Sequence, residues 1–237
     1  AVDDDRWRSC ATAAIARIAA GRHTWWEQPD SRDGDARALR RELGIPLDAR
    51  VVLFASQIDG DTQQYMFSPH FPTNEAAFRW LLARLGGHAD VYVLGKQHPK
   101  CPRSAAFTRA LAHSGIRGQW RADVSIDDAL AVSDRVAAVN STVLYEALAR
   151  ERPVLSMGGW LLGGRGAAHE VTDLAKGQSV VDAWLVAGDN DARQHIWREA
   201  LAFLLSTCLY TYEPEMEGHG MPGAGTLAER IARFARV

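Results

Sequence analysis

Cysteine and lysine are both scarce in this 237-residue chain. The three cysteines, Cys10, Cys101 and Cys208, lie far apart and show no C-x-x-C spacing. An odd, scattered set argues against a disulfide framework and against a zinc site, so the thiols are expected to be reduced. Lysine stands only at 96, 100 and 176, and every other basic side chain is arginine. Apolar runs are too short to span a bilayer, and signal-peptide architecture is lacking. The formal net charge of −2 gives no global attraction to nucleic acid. Internal repeats and low-complexity tracts are missing as well. The chain begins at Ala1, and an upstream domain outside it is kept as an expectation.

What remains is an ordinary globular composition, 47% hydrophobic and 24% charged, enough to bury a sizeable core. Compact apolar runs at 51–55, 91–94, 136–139 and 153–156 read as buried strands, with a weaker one at 117–120. Helical apolar spacing covers 5–20, 36–43, 74–85, 104–113, the stretch from Ser125 to Val132, and 142–150. Residues 22–34 read as a loop, 56–72 as a long irregular stretch, and the C-terminal third as mainly helical, above all at 190–208 and 226–236. Strands alternating with helices predict an α/β fold with a mainly parallel sheet. The chain is read as a single domain, with a helical lead-in over 1–46, a Rossmann-like core over 47–180 and a helical extension over 181–237. The glycines at 158, 159, 163, 164 and 166 spell neither G-x-G-x-x-G nor a P-loop.

Three polar clusters fall just after strands, where ligands bind in such sheets. The first is Q-I-D-G-D, residues 57–61, in which a carboxylate could act as nucleophile, base or metal ligand, or be an idle loop aspartate. The second is K-Q-H-P, residues 96–99. Lys96 and His98 can neutralise or donate to a phosphate, and Pro99 restrains the histidine backbone; the alternative is a surface histidine. The third is N-S-T-V-L-Y-E, residues 140–146. Asn140, Ser141 and Thr142 sit where a strand gives way to a helix, so they can cap that helix or hold an anion. Glu146, one turn on, can hold a ribose or orient a neighbour. His70 and His169 are lesser candidates. Trp80, Trp184 and Trp197 are expected in the core, with Trp160 in the glycine loop as a possible ligand contact.

Together these clusters resemble bacterial glycosyltransferases that use CMP-activated acidic sugars, and most closely the β-Kdo transferases of the capsule-polysaccharide type. Three matches carry the resemblance: Gln57 with Asp61, K-x-H-P at 96–99, and S-T-V-x-x-E-A-L at 141–148, followed by Pro153-Val154. Bacterial sialyltransferases share an H-P and a Ser/Thr motif. The resemblance implies the nucleotide-sugar-binding lobe of a GT-B enzyme. His98, with Lys96 and Pro99, would meet the CMP phosphate, and Asn140, Ser141, Thr142 and Glu146 would complete the donor site. Asp61 would be the nucleophile of a retaining transfer, oriented by Gln57. It further implies no cofactor beyond the CMP-sugar donor, no metal, a glycan acceptor, and a cytoplasmic protein with peripheral contact to the inner membrane or to a second lobe. Leu144 departs from the small residue usual after S-T-V, and one lobe is visible where GT-B enzymes have two. A UDP-type transferase or epimerase of the same fold, or a non-catalytic nucleotide- or glycan-binding lobe, remain as alternatives.

Overall fold

A continuous run of apolar residues offers no polar face to water, so such a strand must be covered on both sides. Arg50–Ala55 is that strand, β1, and its last five residues are all buried. In the computed structural model, which describes residues 5–21, 27–32, 34–101, 104–188 and 191–207, β1 lies inside a six-stranded sheet. The other strands are β2 (Val91–Lys96), β3 (Gly118–Arg121), β4 (Arg135–Ala138), β5 (Val154–Ser156) and β6 (His169–Glu170). Their order across the sheet is β3-β2-β1-β4-β5-β6, and each neighbouring pair is parallel. This is the doubly wound order, in which the direction of winding reverses between β1 and β4 and opens a crevice at their C-terminal ends.

The helices are α1 (Asp5–Ala19), α2 (Ala36–Glu42), α3 (Thr62–Phe67), α4 (Asn74–Leu85), α5 (Ser104–Ser114), α6 (Ile126–Val132), α7 (Val143–Ala149), α8 (Gly177–Val186) and α9 (Asp191–Thr207). They form a layer on each face because strand side chains alternate. Val51 and Leu53 point into one core, against Leu39 of α2, Leu130 of α6, Leu148 of α7 and Trp197 of α9. Val52 and Phe54 point into the other, against Phe78 of α4, Phe107 of α5 and Trp184 of α8. Helix α1 adds Ile15 and Ile18 to the first layer.

The α/β class and the parallel sheet agree with the sequence reading. Several boundaries are corrected. The stretch 56–72 is not irregular throughout, since α3 lies within it. Strand β6 was not foreseen. Residues 180 and 181, where the sequence suggested a helical extension to begin, both fall inside α8. That helix seals the sheet with a fully buried Trp184, so it belongs to the core. The lead-in likewise contributes Leu39, Leu43 and Ile45 to the first core. The helix expected at 226–236, and Cys208, lie outside the described residues.

One close approach shapes the rim near the crevice. Gly95 of β2 faces Trp120 of β3 across the ladder, and a Cβ there would stand 2.1 Å from Trp120 Cε3. The indole is held by Phe107, stacked with ring centroids 4.0 Å apart. Its Nε1 donates to Gln97 Oε1 at 3.2 Å. Gly95→Ala is therefore expected to cost about 1–3 kcal/mol by overpacking. The urea or thermal midpoint should fall accordingly, and an unchanged midpoint would show that the indole can move aside.

Candidate functional site

The three polar clusters end on one rim because the strands before them are parallel. Residue 57 follows β1, residue 96 ends β2 and residue 140 follows β4. All nine residues singled out for a donor site, Gln57, Asp61, Lys96, His98, Pro99, Asn140, Ser141, Thr142 and Glu146, line a single cavity of about 270 Å³. It sits in the crevice between β1 and β4. Gln28, Ile58, Gln63, Gln97, Ile126 and Val143 complete most of its wall. Neither His70 nor His169 lines this cavity, and neither does Trp160.

The crevice is bridged by two side-chain amides. Gln57 Nε2 donates to Asn140 Oδ1 at 2.7 Å, and the Asn140 backbone N–H donates to Gln57 Oε1 at 3.2 Å. Asn140 Nδ2 also donates to the Gln63 carbonyl at 2.9 Å, tying in the first turn of α3. Gln57 is itself fixed by Asn74, whose Oδ1 accepts from the Gln57 N–H at 3.0 Å and whose Nδ2 donates to the Gln57 carbonyl at 2.9 Å. The same Nδ2 donates to Asp59 Oδ1 at 2.7 Å and to Gln64 Oε1 at 3.2 Å. Asn74 is fully buried, and Thr73 is the N-cap of α4. Nothing local in the sequence reveals that Asn74 clamps the loop between β1 and α4.

Asp61 is the N-cap of α3, with Oδ1 accepting from the Gln63 N–H at 2.9 Å. The capping bond aims the carboxylate at the cavity and holds it still. Asp59, its neighbour in the motif, is turned away toward Asn74 and does not line the cavity.

Lys96 is the last residue of β2, not a loop residue, and is 3% exposed. Its Nζ donates to the Gln97 carbonyl at 2.8 Å. Burial lowers its pKa to about 8, partly opposed by Asp123. His98 is anchored through its backbone N–H, which donates to Ser56 Oγ at 2.8 Å. Burial, then the Lys96 charge, push its pKa below the ordinary histidine value, against a smaller upward pull from Asp61. The ring is therefore mainly neutral at pH 7. Its Nδ1 accepts from the Lys100 N–H at 3.1 Å, which assigns the ring proton to Nε2 and makes that nitrogen a donor.

Thr142 occupies the N-cap position of α7 without a side-chain capping bond, and Ser141 Oγ accepts from the Val143 N–H at a long 3.4 Å. Both hydroxyls remain at the cavity wall. Glu146 is half-buried in the same wall. Desolvation raises its pKa to about 7, with Arg150 lowering it and Asp127 raising it further. Arg150 does not relieve the carboxyl fully, because its Nη2 donates to Asp127 Oδ1 at 2.5 Å. The cavity thus carries a buried cation, an imidazole N–H donor, two hydroxyls, two carboxyl groups and a pair of amides. That set suits a phosphate linked to polar groups on either side.

The remaining candidates lie outside the cavity. Trp160 packs on Tyr145 with centroids 5.3 Å apart and donates Nε1 to Glu170 Oε1 at 3.4 Å. Trp184 and Trp197 are buried in the core, and Trp80 lies under the Arg84 guanidinium at 3.7 Å. His70 meets the Thr172 carbonyl at 3.2 Å, and burial holds the His169 pKa at about 4. Among the described residues, no group of three or more His, Cys, Asp or Glu could hold a metal ion, and no helix is long and apolar enough to cross a membrane.

Glu146 makes stability pH-dependent. Its folded-state pKa of about 7 lies above the ordinary 4.5, so the folded chain binds more protons between those values and loses stability as pH rises through them. Glu146→Gln removes the cost of ionising a buried carboxyl. The variant is expected to match the parent near pH 4 and to exceed it by up to roughly 3 kcal/mol at pH 8. Chemical denaturation at both pH values measures this, and a gain independent of pH would rule out Glu146 ionisation as its cause.

Comparison with known proteins agrees with this fold. The solved KpsC beta Kdo 2,7 transferase of Thermosulfurimonas dismutans superposes with a TM-score of 0.53 at 15% identity, over 98% of this chain and 63% of that one. The spinosyn rhamnosyltransferase SpnG superposes with a TM-score of 0.50 at 13% identity, over 81% of this chain and 54% of that one. This chain therefore spans less than two thirds of either structure. At such identities the likeness concerns the fold, a Rossmann-like lobe of the GT-B type. In a comparison by sequence, no curated protein matches the chain. The family model for capsule polysaccharide biosynthesis proteins matches residues 22–202, and the chain belongs to that family.

Proposed function

We propose that this chain is the donor-binding lobe of a glycosyltransferase that takes an acidic sugar, Kdo, from a CMP-activated donor and delivers it to a surface glycan with retention of configuration. The observation that carries the reading is the convergence of three motifs, separated in sequence by up to 89 positions between Gln57 and Glu146, on one cavity at the reversal of strand order. Membership in the capsule polysaccharide biosynthesis family supports a surface glycan as the product. The beta Kdo transferase name of one structural relative supports the sugar.

In this reading the Asp61 carboxylate attacks the anomeric carbon and forms a C–O bond to it. The bond from that carbon to the CMP phosphate oxygen breaks, and the phosphate keeps the electron pair. An acceptor hydroxyl then attacks the same carbon and passes its proton to water, while the bond from that carbon to Asp61 breaks and returns its electron pair to the carboxylate. Two inversions restore the original configuration. Gln57 and Asn140 hold the loop that carries Asp61. The Lys96 ammonium, the His98 Nε2–H and the Ser141 and Thr142 hydroxyls receive the leaving phosphate, so its charge is balanced by this chain's own residues. No cofactor beyond the donor and no metal enters the scheme. A glycan acceptor, and a second lobe or the inner-membrane surface beside it in the cytoplasm, complete the proposed setting.

Calorimetry with CMP, UDP, GDP and ADP tests the donor class, and CMP is expected to bind tightest. Equal affinities across the panel would sink the CMP reading. With CMP-Kdo as substrate, His98→Ala should slow CMP release about 10²-fold, as for loss of one donor to a developing charge. Asp61→Asn keeps the N-cap, since Asn and Asp cap equally well, yet should abolish formation of a sugar–protein adduct detected by mass spectrometry. Full activity in that variant would remove Asp61 as nucleophile.

A further inference from the structure

Helix α3 is turned inside out. Its sequence is T-Q-Q-Y-M-F, and the residue it buries is the polar Gln64. Tyr65, Met66 and Phe67 are 82%, 64% and 47% exposed. Packing of an apolar face usually holds a short helix, and here hydrogen bonds hold it instead. Gln64 Oε1 accepts from Asn74 Nδ2 at 3.2 Å, Asp61 caps the first turn, and the Asn140 amide binds the Gln63 carbonyl. Large apolar side chains gathered in water on an element so firmly tied mark a binding surface.

This surface continues the cavity wall. Residues three and four positions apart share a helix face. Asp61 and Gln63 line the cavity, and Tyr65, Met66 and Phe67 do not. Tyr65 stands four positions after Asp61, and its N–H donates to the Asp61 carbonyl at 2.9 Å. Met66 and Phe67 stand three and four positions after Gln63. Each exposed apolar side chain therefore extends a cavity-lining position by one turn, roughly 5 Å along the helix. The glycine loop widens this ledge. The Gly159 N–H donates to the Phe67 carbonyl at 2.5 Å, and a Cβ on Gly159 would stand 3.1 Å from that oxygen, so glycine lets the loop lie this close. Leu161, 64% exposed, follows two residues later.

We infer that Tyr65, Met66, Phe67 and Leu161 form the ledge on which the glycan acceptor lies, with the C–H faces of its sugar rings against Tyr65 and Phe67. The inference rests on the proposed transfer. In that scheme the donor fills the cavity with its anomeric carbon at Asp61, and the acceptor hydroxyl has to reach the same carbon from outside. Helix α3 starts at that carboxylate and carries its apolar side chains beyond the cavity, so an acceptor resting on it presents a hydroxyl at the helix start. A sugar ring has an apolar face and a polar edge. Aromatic side chains suit the face, and the exposed Thr62 and Gln63 offer hydrogen bonds to the edge. A protein partner fits less well, since four apolar side chains fall far short of the roughly 20–30 residues that each side of a standard interface contributes.

The test is NMR of the chain labelled at its methionine methyl groups, held in excess CMP and titrated with a short Kdo oligosaccharide. The Met66 signal should shift and saturate, while that of the fully buried Met157 stays in place. Tyr65→Ser should weaken the oligosaccharide about tenfold, and Tyr65→Phe, which keeps the ring, should stay within about twofold of the parent. Calorimetry should find CMP affinity within about twofold of the parent in both variants, because Tyr65 does not line the donor cavity. A Met66 signal that ignores the oligosaccharide, or a Tyr65→Ser chain that binds it as the parent does, overturns the inference, and intact CMP binding then leaves the donor site standing. A Met66 signal that moves with protein concentration alone puts a second copy on the ledge and also overturns it. A parent that binds no CMP overturns the donor-site reading, and the inference falls with it.

Discussion

Two amides facing each other across a gap in winding hold this site together. Where the strand order reverses between β1 and β4, the connections leave in opposite directions and open a crevice at the C-terminal ends of the strands. Gln57 and Asn140 close that gap by exchanging two hydrogen bonds, one of them to backbone. Neutral amides are well suited here, because a charge pair in the same half-buried place would meet a desolvation cost that its attraction need not offset. The bridge acts at a distance. Asn140 also binds the Gln63 carbonyl, so the start of α3, and with it Asp61, is positioned from β4. Asn74 fixes the other end by satisfying both backbone groups of Gln57. Loss of one member would leave several buried polar groups without partners, so the network is coupled rather than additive.

Around this neutral bridge the ionisable groups are held away from their comfort in water. Lys96 has its pKa lowered and Glu146 has its pKa raised, and burial is the first cause in both cases. A lysine with an acceptor at its own neighbour's carbonyl is poised to gain from an incoming anion. A carboxyl that is only partly ionised at pH 7 repels an anion less than an ordinary glutamate does. The cavity is therefore electrostatically ready for a phosphate at pH 7, and the folded chain bears the cost before any ligand arrives. Perturbed groups converging in a cleft are a common mark of a functional site. The hydrophobic layers on either side of the sheet, from Val51 and Leu53 to Phe54 and Phe78, supply the stability that tolerates it.

Local pattern told much of this in advance. Apolar runs without a polar face announced β1, β2 and β4, and apolar spacing announced α4 to its terminal residues. The motif residues were legible because each follows a strand, and parallel strands bring such ends to one rim. Helix α3 was not legible, since its sequence T-Q-Q-Y-M-F has no apolar face and leaves Tyr65, Met66 and Phe67 exposed. Strand β6 was hidden because two residues carry no period, and only pairing with β5 makes them a strand.

Composition, hydrophobic period and capping residues determined by themselves that this is an α/β chain with a parallel sheet, and which polar clusters cap its strands. These are properties of short stretches, set by burial and backbone geometry. Tertiary structure alone decided that Asn74 is a clamp, that Asp61 lines the cavity while Asp59 turns away, and that Gln28 of an unpatterned loop lines the site. Each of those outcomes depends on a partner far along the chain, and hydrogen bonds between distant residues leave no periodic trace in sequence.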